Sequence, residues 1–180
     1  ESHPEVRRLL IEPLAQIGTA PAWQILAERA IDDPIEEVRL SCLDFLERAE
    51  HRPAVDYFVG KLRDKDNRMI NRAAVALSYM DHPTAIGPLI ESLVTTHKFK
   101  FTSGNGNQTS ASFGTGAGGS PGGISVGSST RIIKRQIANQ AVLDALVSLT
   151  GGVNFNFDVQ AWRYWYAAQK KSQKIKTRRD

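Results

Sequence analysis

One pattern of apolar residues recurs along the chain and constrains its fold more than any other feature. Copies lie at residues 6–17, 38–49 and 69–80, so the unit repeats about every 31 residues. In each copy the apolar residues follow the first one by 4, 8 and 11 positions, which places them on one face of an α-helix. The sequence therefore predicts the same amphipathic helix three times in succession.

A second helix is predicted between these copies, and each of its copies begins near a proline. Pro21, Pro53 and Pro83 stand where a first helical turn would start, a position that tolerates proline because its N–H has no acceptor within the helix. Apolar residues follow at helical spacing in all three copies: Trp23, Leu26 and Ile31; Val55, Phe58 and Leu62; Ile86, Leu89 and Leu93. The repeating unit is therefore predicted to be a pair of helices.

A fourth copy of the stripe arrives later than the repeat length requires. It occupies residues 138–149, so residues 97–133 are predicted to be an insertion. From Phe101 to Thr130 the insertion has no charged residue, and it is rich in glycine and serine. Because 180 residues correspond to about one domain, we expect a single repeat domain, residues 1–180, that carries the insertion.

Two interpretations of the insertion are open. Residues 97–102 alternate between apolar and polar side chains and residues 109–113 can do the same, with the turn-forming pair Asn105-Gly106 between them, which predicts a β-hairpin arm. The apolar face of this arm is a candidate partner-binding surface, made of Phe99, Phe101, Phe113, Ile124 and Val126. The alternative is a disordered linker rich in glycine and serine, which composition alone favours.

The C-terminal segment is predicted to close the repeat array. Gly151 is expected to end the fourth stripe helix, and Asp158 is expected to cap the N-terminus of a final helix. Three aromatic residues then share one face of that helix: Trp162, Trp165 and Tyr166. Since a terminal repeat must cover the last open part of the core, residues 151–168 are predicted to form an aromatic capping segment, followed by a basic tail at residues 169–180.

The net charge of +4 is concentrated in this basic tail. The tail holds Lys170, Lys171, Lys174, Lys176, Arg178 and Arg179 against the acidic Asp180. The rest of the chain is therefore close to neutral, and a broad basic surface for nucleic acid is not predicted. The tail is interpreted as a solvated helix end, where cations are favourable; the alternative is contact with an anionic partner.

The sequence predicts no catalytic set, no metal site and no cofactor. Cys42 is the single cysteine and belongs to the apolar stripe, so it is predicted to be a buried hydrophobic side chain rather than a reactive thiol. The four histidines lack the short spacing of a zinc site, and the glycine-rich segments lack the Gly-Lys-Ser/Thr of a phosphate-binding loop. No apolar stretch is long enough for a membrane span, and the first residues lack the features of a signal peptide. Localisation is not predicted.

Three short motifs carry a family resemblance. Residues 33–39, Asp-Pro-Ile-Glu-Glu-Val-Arg, and residues 71–77, Asn-Arg-Ala-Ala-Val-Ala-Leu, resemble helix starts of HEAT-repeat proteins, more narrowly those of bacterial HEAT-like proteins. Residues 149–165 are similar to the ending of many such proteins. Over residues 1–97 and 131–150, the resemblance implies an all-α fold, a right-handed α-solenoid of about 3.5–4 HEAT-like helix pairs.

The resemblance implies a non-catalytic protein-protein interaction scaffold that binds a protein or peptide along its repeat surface. The second helix of each pair in a solenoid usually lines the concave face, so Arg39 and Arg72 are candidate partner-binding residues, since a guanidinium binds a carboxylate through two hydrogen bonds. For Arg39 we favour the alternative, a salt bridge with Asp32, Asp33 or an acid of a neighbouring repeat.

A second class of function stays open, that of a HEAT-like enzyme or nucleic-acid-binding protein. Some HEAT-like proteins are DNA glycosylases for alkylated bases, and others are lyases that attach bilin pigments. A glycosylase needs a basic concave face with aromatic and acidic residues around it. The near-neutral body of this chain and the concentration of tryptophan in the capping segment favour the scaffold instead.

Overall fold

The computed structural model of the protein describes residues 3–103 and 129–176. Most of these residues are helical, which confirms the predicted helical character of the chain. The chain divides into two compact units, one formed by Glu1–Thr95 with Ile137–Asp180 and the other by Thr96–Gln136. The described part of the first unit is mainly helical, and the described part of the second belongs to two paired strands.

The helices alternate along the chain between the two predicted kinds. In chain order they are α1 (Pro4–Leu9), α2 (Ile11–Ile17), α3 (Ala20–Asp32), α4 (Glu36–Arg48), α5 (Arg52–Lys61), α6 (Asn67–Met80), α7 (Ile86–Ser92, preceded by a short 3-10 helix at Pro83–Ala85), α8 (Gln140–Leu149) and α9 (Val159–Lys176). Helices α4, α6 and α8 carry the repeated apolar stripe. Proline stands in the first turn of α3, of α5 and of the 3-10 helix before α7, as the sequence predicts.

Each stripe helix from α4 onward packs on the proline-started helix that precedes it in the chain. Helix α3 packs on α4, α5 on α6 and α7 on α8, and successive pairs meet through α4 on α6 and α6 on α8. The stripe residues at these contacts are buried: Val38, Cys42, Leu46, Ala73, Leu77, Val142 and Leu146. Because burying one valine or leucine side chain stabilises a fold by about 1.5–3 kcal/mol, the valine and leucine members of these rows hold successive helix pairs together.

The first stripe departs from the prediction of one helix over residues 6–17. It forms two helices, α1 and α2, with a break at Leu10. The physical reason is Pro13, which has no N–H to donate to the Leu9 carbonyl four residues earlier and whose ring crowds that carbonyl. The first stripe is therefore interrupted at a local signal, and the single regular helix predicted for it is wrong.

The first stripe is also exposed where the next stripe is buried. Val6 is 46% and Leu10 is 52% exposed, whereas their counterparts one repeat later, Val38 and Cys42, are 2% and 0% exposed. The stripe pattern thus marks an apolar face, but a neighbouring helix decides whether that face is buried.

The insertion forms strands at both of its ends. Strand β1 (Val94–Ser103) pairs with β2 (Ser129–Ala138) in a two-stranded sheet. The predicted strand at residues 97–102 lies within β1, whose partner among the described residues is β2. Residues 109–113 and the predicted turn fall within 104–128, outside the described part of the chain. The shorter hairpin therefore stays a prediction, and the described strand contact joins the two ends of the insertion.

The predicted apolar face of the arm lies only partly within the described residues. Phe99 and Phe101 belong to β1, but their side chains are not among those described. Phe113, Ile124 and Val126 lie outside the described residues. The arm as a binding surface stays a prediction.

Helix α9 packs on α7 and begins with a polar cap. One carboxylate oxygen of Asp158 accepts hydrogen bonds from the backbone N–H groups of Gln160 and Ala161, both at 3.0 Å, which is the geometry of an N-cap. Trp162 is fully buried, and its indole N–H donates to the Asn156 carbonyl at 2.9 Å. Asn156 and Asp158, directly before α9, therefore both hold its first turn.

Aromatic side chains continue this contact along α9. The Trp162 ring meets Phe155 and Trp165 edge to face, with ring centroids 5.2 and 5.9 Å apart. Tyr166 lies close to Gly87 of α7, where an added Cβ would be 3.2 Å from the Tyr166 Cε1 atom. Trp165 and Tyr166 are half-buried, so the predicted aromatic face is the face that α9 turns toward α7 and the rest of the helical unit.

A buried carboxylate joins the first helix to the end of α3. Asp33 is 0% exposed and accepts hydrogen bonds from Arg7 Nε at 2.8 Å, from Arg7 Nη2 at 3.0 Å and from the Ile35 N–H at 3.0 Å. Burial by itself raises the pKa of this carboxyl, but the hydrogen bonds from Arg7 and Ile35, with the positive charges of Arg7 and Arg29, hold the pKa below its ordinary value.

Replacing Asp33 by asparagine removes a charge that Arg7 needs at a buried site. We expect Asp33→Asn to lower the free energy of unfolding by about 3 kcal/mol, measured by urea unfolding near neutral pH. The matched control is Asp44→Asn, which removes the carboxylate of the exposed Asp44–Arg48 pair and should cost less than about 1 kcal/mol. Equal losses in the two variants would show that the Asp33 contact has no special weight.

The same contact predicts a pH dependence of stability. Because the pKa of Asp33 is lowered in the folded state, its contribution is complete above the ordinary aspartate pKa of about 4 and is lost as the pH falls through the folded value. The stability difference between the natural chain and Asp33→Asn should therefore shrink as the pH is lowered below about 4. Urea unfolding across that range measures it, and a constant difference would contradict the ion pair.

Removing the Trp162 side chain should open a cavity under α9. We expect Trp162→Ala to cost about 3–5 kcal/mol of unfolding free energy, because this side chain is 0% exposed. Tyr164→Ala is the control on the same helix, since Tyr164 is 82% exposed, and it should change stability by less than about 0.5 kcal/mol. Thermal unfolding of both variants decides whether the capping segment carries this share of the stability.

Candidate functional site

An open groove of about 470 Å³ lies on the helical unit, lined mainly by α4 and α6. Helix α4 supplies residues at positions 36, 39, 40 and 43, and α6 supplies positions 67, 68, 71, 72 and 75. Positions three and four apart share one helix face, so each helix turns one face, with polar and apolar side chains, into the groove. The polar residues of the lining are Glu36, Arg39, Asn67, Arg68, Asn71 and Arg72.

Both arginines predicted to bind a partner lie in this groove and are anchored to the end of α3. Arg39 Nη1 donates to the Asp33 carbonyl at 2.9 Å and to the Pro34 carbonyl at 3.3 Å. Arg72 Nη1 donates to the Ile31 carbonyl at 2.8 Å. Ile31 supplies one of the last carbonyls of α3, which have no partner within the helix and carry the negative end of its dipole. The Asp33 and Pro34 carbonyls directly follow the helix, so the three carbonyls orient both guanidinium groups.

Among the described side chains, neither Arg39 nor Arg72 forms a salt bridge. Cations that do include Arg7, Arg48, Lys61, Arg68 and Arg163. Arg7 holds the Asp33 carboxylate, and Asp32 lies 4.0 Å from Lys61. The favoured salt bridge of Arg39 with Asp32 or Asp33 is therefore wrong, because Arg39 reaches the Asp33 main chain instead.

Positive charge accumulates in the groove. Burial lowers the pKa of Arg72, and the neighbouring charges of Arg39 and Arg68 lower it further, against a smaller opposite effect of Asp32 and Asp66. Arg68 differs from the other two arginines because Asp66 accepts from it at 3.0 Å. The groove therefore holds two guanidinium groups whose charge the neighbouring carboxylates do not balance.

Amide side chains link one wall of the groove to residues near the start of β1 and directly after β2. Asn71 Nδ2 donates to the Asn67 carbonyl at 2.9 Å, and the Thr95 hydroxyl donates to Asn67 Oδ1 at 3.1 Å. Asn139 is buried, and its Nδ2 donates to the Ser92 carbonyl at 2.8 Å and to Thr95 Oγ1 at 3.0 Å. These contacts hold the N-terminal end of α6 to the segments that lead into β1 and out of β2.

Sequence reasoning found two of the groove residues and missed the others. Arg39 and Arg72 followed from the family resemblance, but Glu36, Arg68 and the two asparagines had no signal of their own. Their helical spacing from Arg39 and Arg72 was present in the sequence and would have placed them on the same faces. The predicted cap residues, by contrast, belong to the contact of α9 with α7 and do not line the groove.

Other candidate chemistry is sparse in the part of the chain that the structure describes. No group of three or more His, Cys, Asp or Glu side chains there has the arrangement to hold a metal ion. His51 stacks on Trp23 with ring centroids 5.1 Å apart, and burial lowers its pKa. Within the same residues, no helix has the length and apolar composition to cross a membrane.

Comparisons of the chain with protein-family models, with curated proteins and with solved structures find no match. A helical fold does not by itself determine a function, which depends on the groups that a site presents. The groove presents oriented guanidinium donors, amide groups and an apolar wall that includes Leu40 and Val75. Such a set of groups suits binding of a ligand with both charged and apolar parts.

The buried Cys42 should be inert. Burial, with the nearby charge of Asp33, raises the pKa of the Cys42 thiol to about 12, so the reactive thiolate is scarce in the folded protein near pH 8. We expect iodoacetamide to leave the folded chain unmodified and to alkylate it in urea, as followed by mass spectrometry. Ser148→Cys in a Cys42→Ala background places the thiol at an exposed position of α8 and should react without urea. Equally fast labelling of native Cys42 would contradict its burial.

Proposed function

We propose that this protein is a non-catalytic protein-interaction scaffold, a HEAT-like α-solenoid that binds a protein or peptide segment in the groove between α4 and α6. The single observation that carries this proposal is the open groove in which Arg39 and Arg72 are oriented but not neutralised. Successive helix pairs with repeated packing support the solenoid architecture, because each pair contacts the next through the same stripe.

The chemistry of the lining supports binding over catalysis. The ionisable residues that line the groove are Glu36, Arg39, Arg68 and Arg72. A general base or nucleophile needs a partner within hydrogen-bonding reach that adjusts its protonation, and this lining supplies guanidinium groups that stay protonated. We therefore assign no enzymatic activity and no cofactor to the groove.

A nucleic-acid-binding role would draw on the same arginines, and it is the weaker candidate. Enzymes that extrude a base, and proteins that bind single strands, stack bases on aromatic side chains. The groove lining contains no aromatic residue among those described.

The strands β1 and β2 are proposed as a second contact surface of the scaffold, as the sequence predicts for the arm.

A groove-blocking substitution tests the proposal. Peptides selected on the full chain from a random library should lose at least about tenfold in affinity for Val75→Glu, because Val75 lies in the groove and is 40% exposed. The matched control is Ile25→Glu, at a position of α3 that is 42% exposed and outside the groove. Fluorescence polarisation with each labelled peptide measures both affinities.

Two outcomes of this selection would contradict the proposal. One is that the library yields no peptide above background, and the other is that Val75→Glu and Ile25→Glu bind the selected peptides alike.

A further variant, in which a short glycine-serine linker replaces residues 104–128, shows whether the arm contributes. Loss of binding in that variant alone would move the contact surface from the groove to the arm.

A further inference from the structure

Arg39 and Arg72 are held differently from the described arginines that pair with a carboxylate, which include Arg7, Arg48, Arg68 and Arg163. Main-chain carbonyls at the end of α3 accept from one nitrogen, Nη1, of Arg39 and of Arg72. A guanidinium has five N–H donors arranged in a planar fork that matches two carboxylate oxygens. Each arginine is therefore fixed through one nitrogen, while the described structure gives its other two nitrogens no acceptor.

The surroundings of these donors define what they would accept. Arg39 and Arg72 form no salt bridge among the described side chains, and the neighbouring charges of Arg39 and Arg68 add to burial in lowering the pKa of Arg72. An anion between Arg39 and Arg72 would reduce this repulsion, and it would do so more strongly than in open water because Arg72 is half-buried. Leu40 and Val75 lie in the same groove, so the ligand has an apolar part beside its anionic part.

We propose that Arg39 and Arg72 bind the side-chain carboxylate of an acidic peptide segment whose neighbouring apolar side chain packs on Leu40 and Val75. This inference rests on the proposed scaffold function and names the chemistry of its partner. The peptide class recognised is one in which glutamate or aspartate alternates with an aliphatic residue.

A peptide carboxylate suits this groove better than a nucleic-acid phosphate chain. Glu36 lines the groove, and Asp66 sits beside Arg68 at 3.0 Å. A phosphate backbone carries a charge at every nucleotide and would meet these acids along its length. A peptide can place one carboxylate between the arginines and uncharged groups next to the acids.

The test uses two capped peptides that differ in charge alone. Both are acetylated at the N-terminus and amidated at the C-terminus, one repeating Leu-Glu and the other Leu-Gln, so that the side chains are the sole carboxylates. We expect the full chain to bind the Leu-Glu peptide at least about tenfold more tightly at low salt, and the difference to narrow as salt screens the contact. Equal binding, or no binding of the Leu-Glu peptide, would overturn the inference.

Variants assign the effect to the two arginines. Arg39→Gln and Arg72→Gln should each lower the affinity for the Leu-Glu peptide at least about tenfold, with little effect on the affinity for the Leu-Gln peptide. Arg72→Lys keeps the charge but loses the planar fork, so it should be intermediate. Arg48→Gln removes an exposed arginine of α4 that pairs with Asp44 outside the groove and should change nothing. An equal loss in Arg48→Gln would overturn the assignment.

A direct readout covers the case in which an arginine variant does not fold. In the natural chain, the side-chain Nε–H resonances of Arg39 and Arg72 should shift on addition of Leu-Glu peptide and not on addition of Leu-Gln peptide. Unmoved resonances would overturn the inference. Tighter binding of an oligothymidine of matched charge, with shifts of the same resonances, would also overturn it and point to nucleic acid.

The outcomes separate this inference from the scaffold function on which it rests. The library peptides can depend on Val75 and yet bind independently of Arg39 and Arg72. That result would keep the groove as a protein-binding site and overturn only the inference that it binds a carboxylate. Failure of both experiments would remove the groove itself as the functional site.

Discussion

The C-terminal end of α3 is the point on which the helical unit depends. Arg7 binds the buried Asp33 carboxylate there, while Arg39 and Arg72 donate to main-chain carbonyls of the same turn. These three arginines come from α1, α4 and α6, so one helix end joins three other helices. The contact is favourable because the last carbonyls of a helix lack internal partners and attract cations.

The choice of acceptor separates a structural arginine from a binding arginine. A carboxylate both orients a guanidinium and cancels its charge, whereas a carbonyl orients it and leaves the charge in place. Arg7 meets the first kind of acceptor at Asp33, and Arg39 and Arg72 meet the second kind. The same helix end therefore produces a buried ion pair on one side and a positively charged groove on the other.

Repetition made the helices predictable, and its exceptions have local or long-range causes. The break between α1 and α2 follows from Pro13. This local signal was present in the sequence, but the prediction of one helix was based on the stripe pattern alone. The pairing of β1 with β2 is long-range, and a nearby turn signal favoured a shorter hairpin whose second half lies outside the described residues. Of the groove, the sequence indicated Arg39 and Arg72 and left out Glu36 and Arg68, because solvent-facing positions carry no apolar period.

The sequence by itself determined which segments are helices, which face of each is apolar and where the polar cap of α9 stands. These properties depend on residues within one or two turns of each other, so the chain order expresses them directly. Only the tertiary structure decided which of the available arginines holds Asp33. Arg39 is six residues away and Arg7 is 26 residues away, yet Arg7 takes the carboxylate. Packing sets the distances between charged side chains, and sequence separation does not.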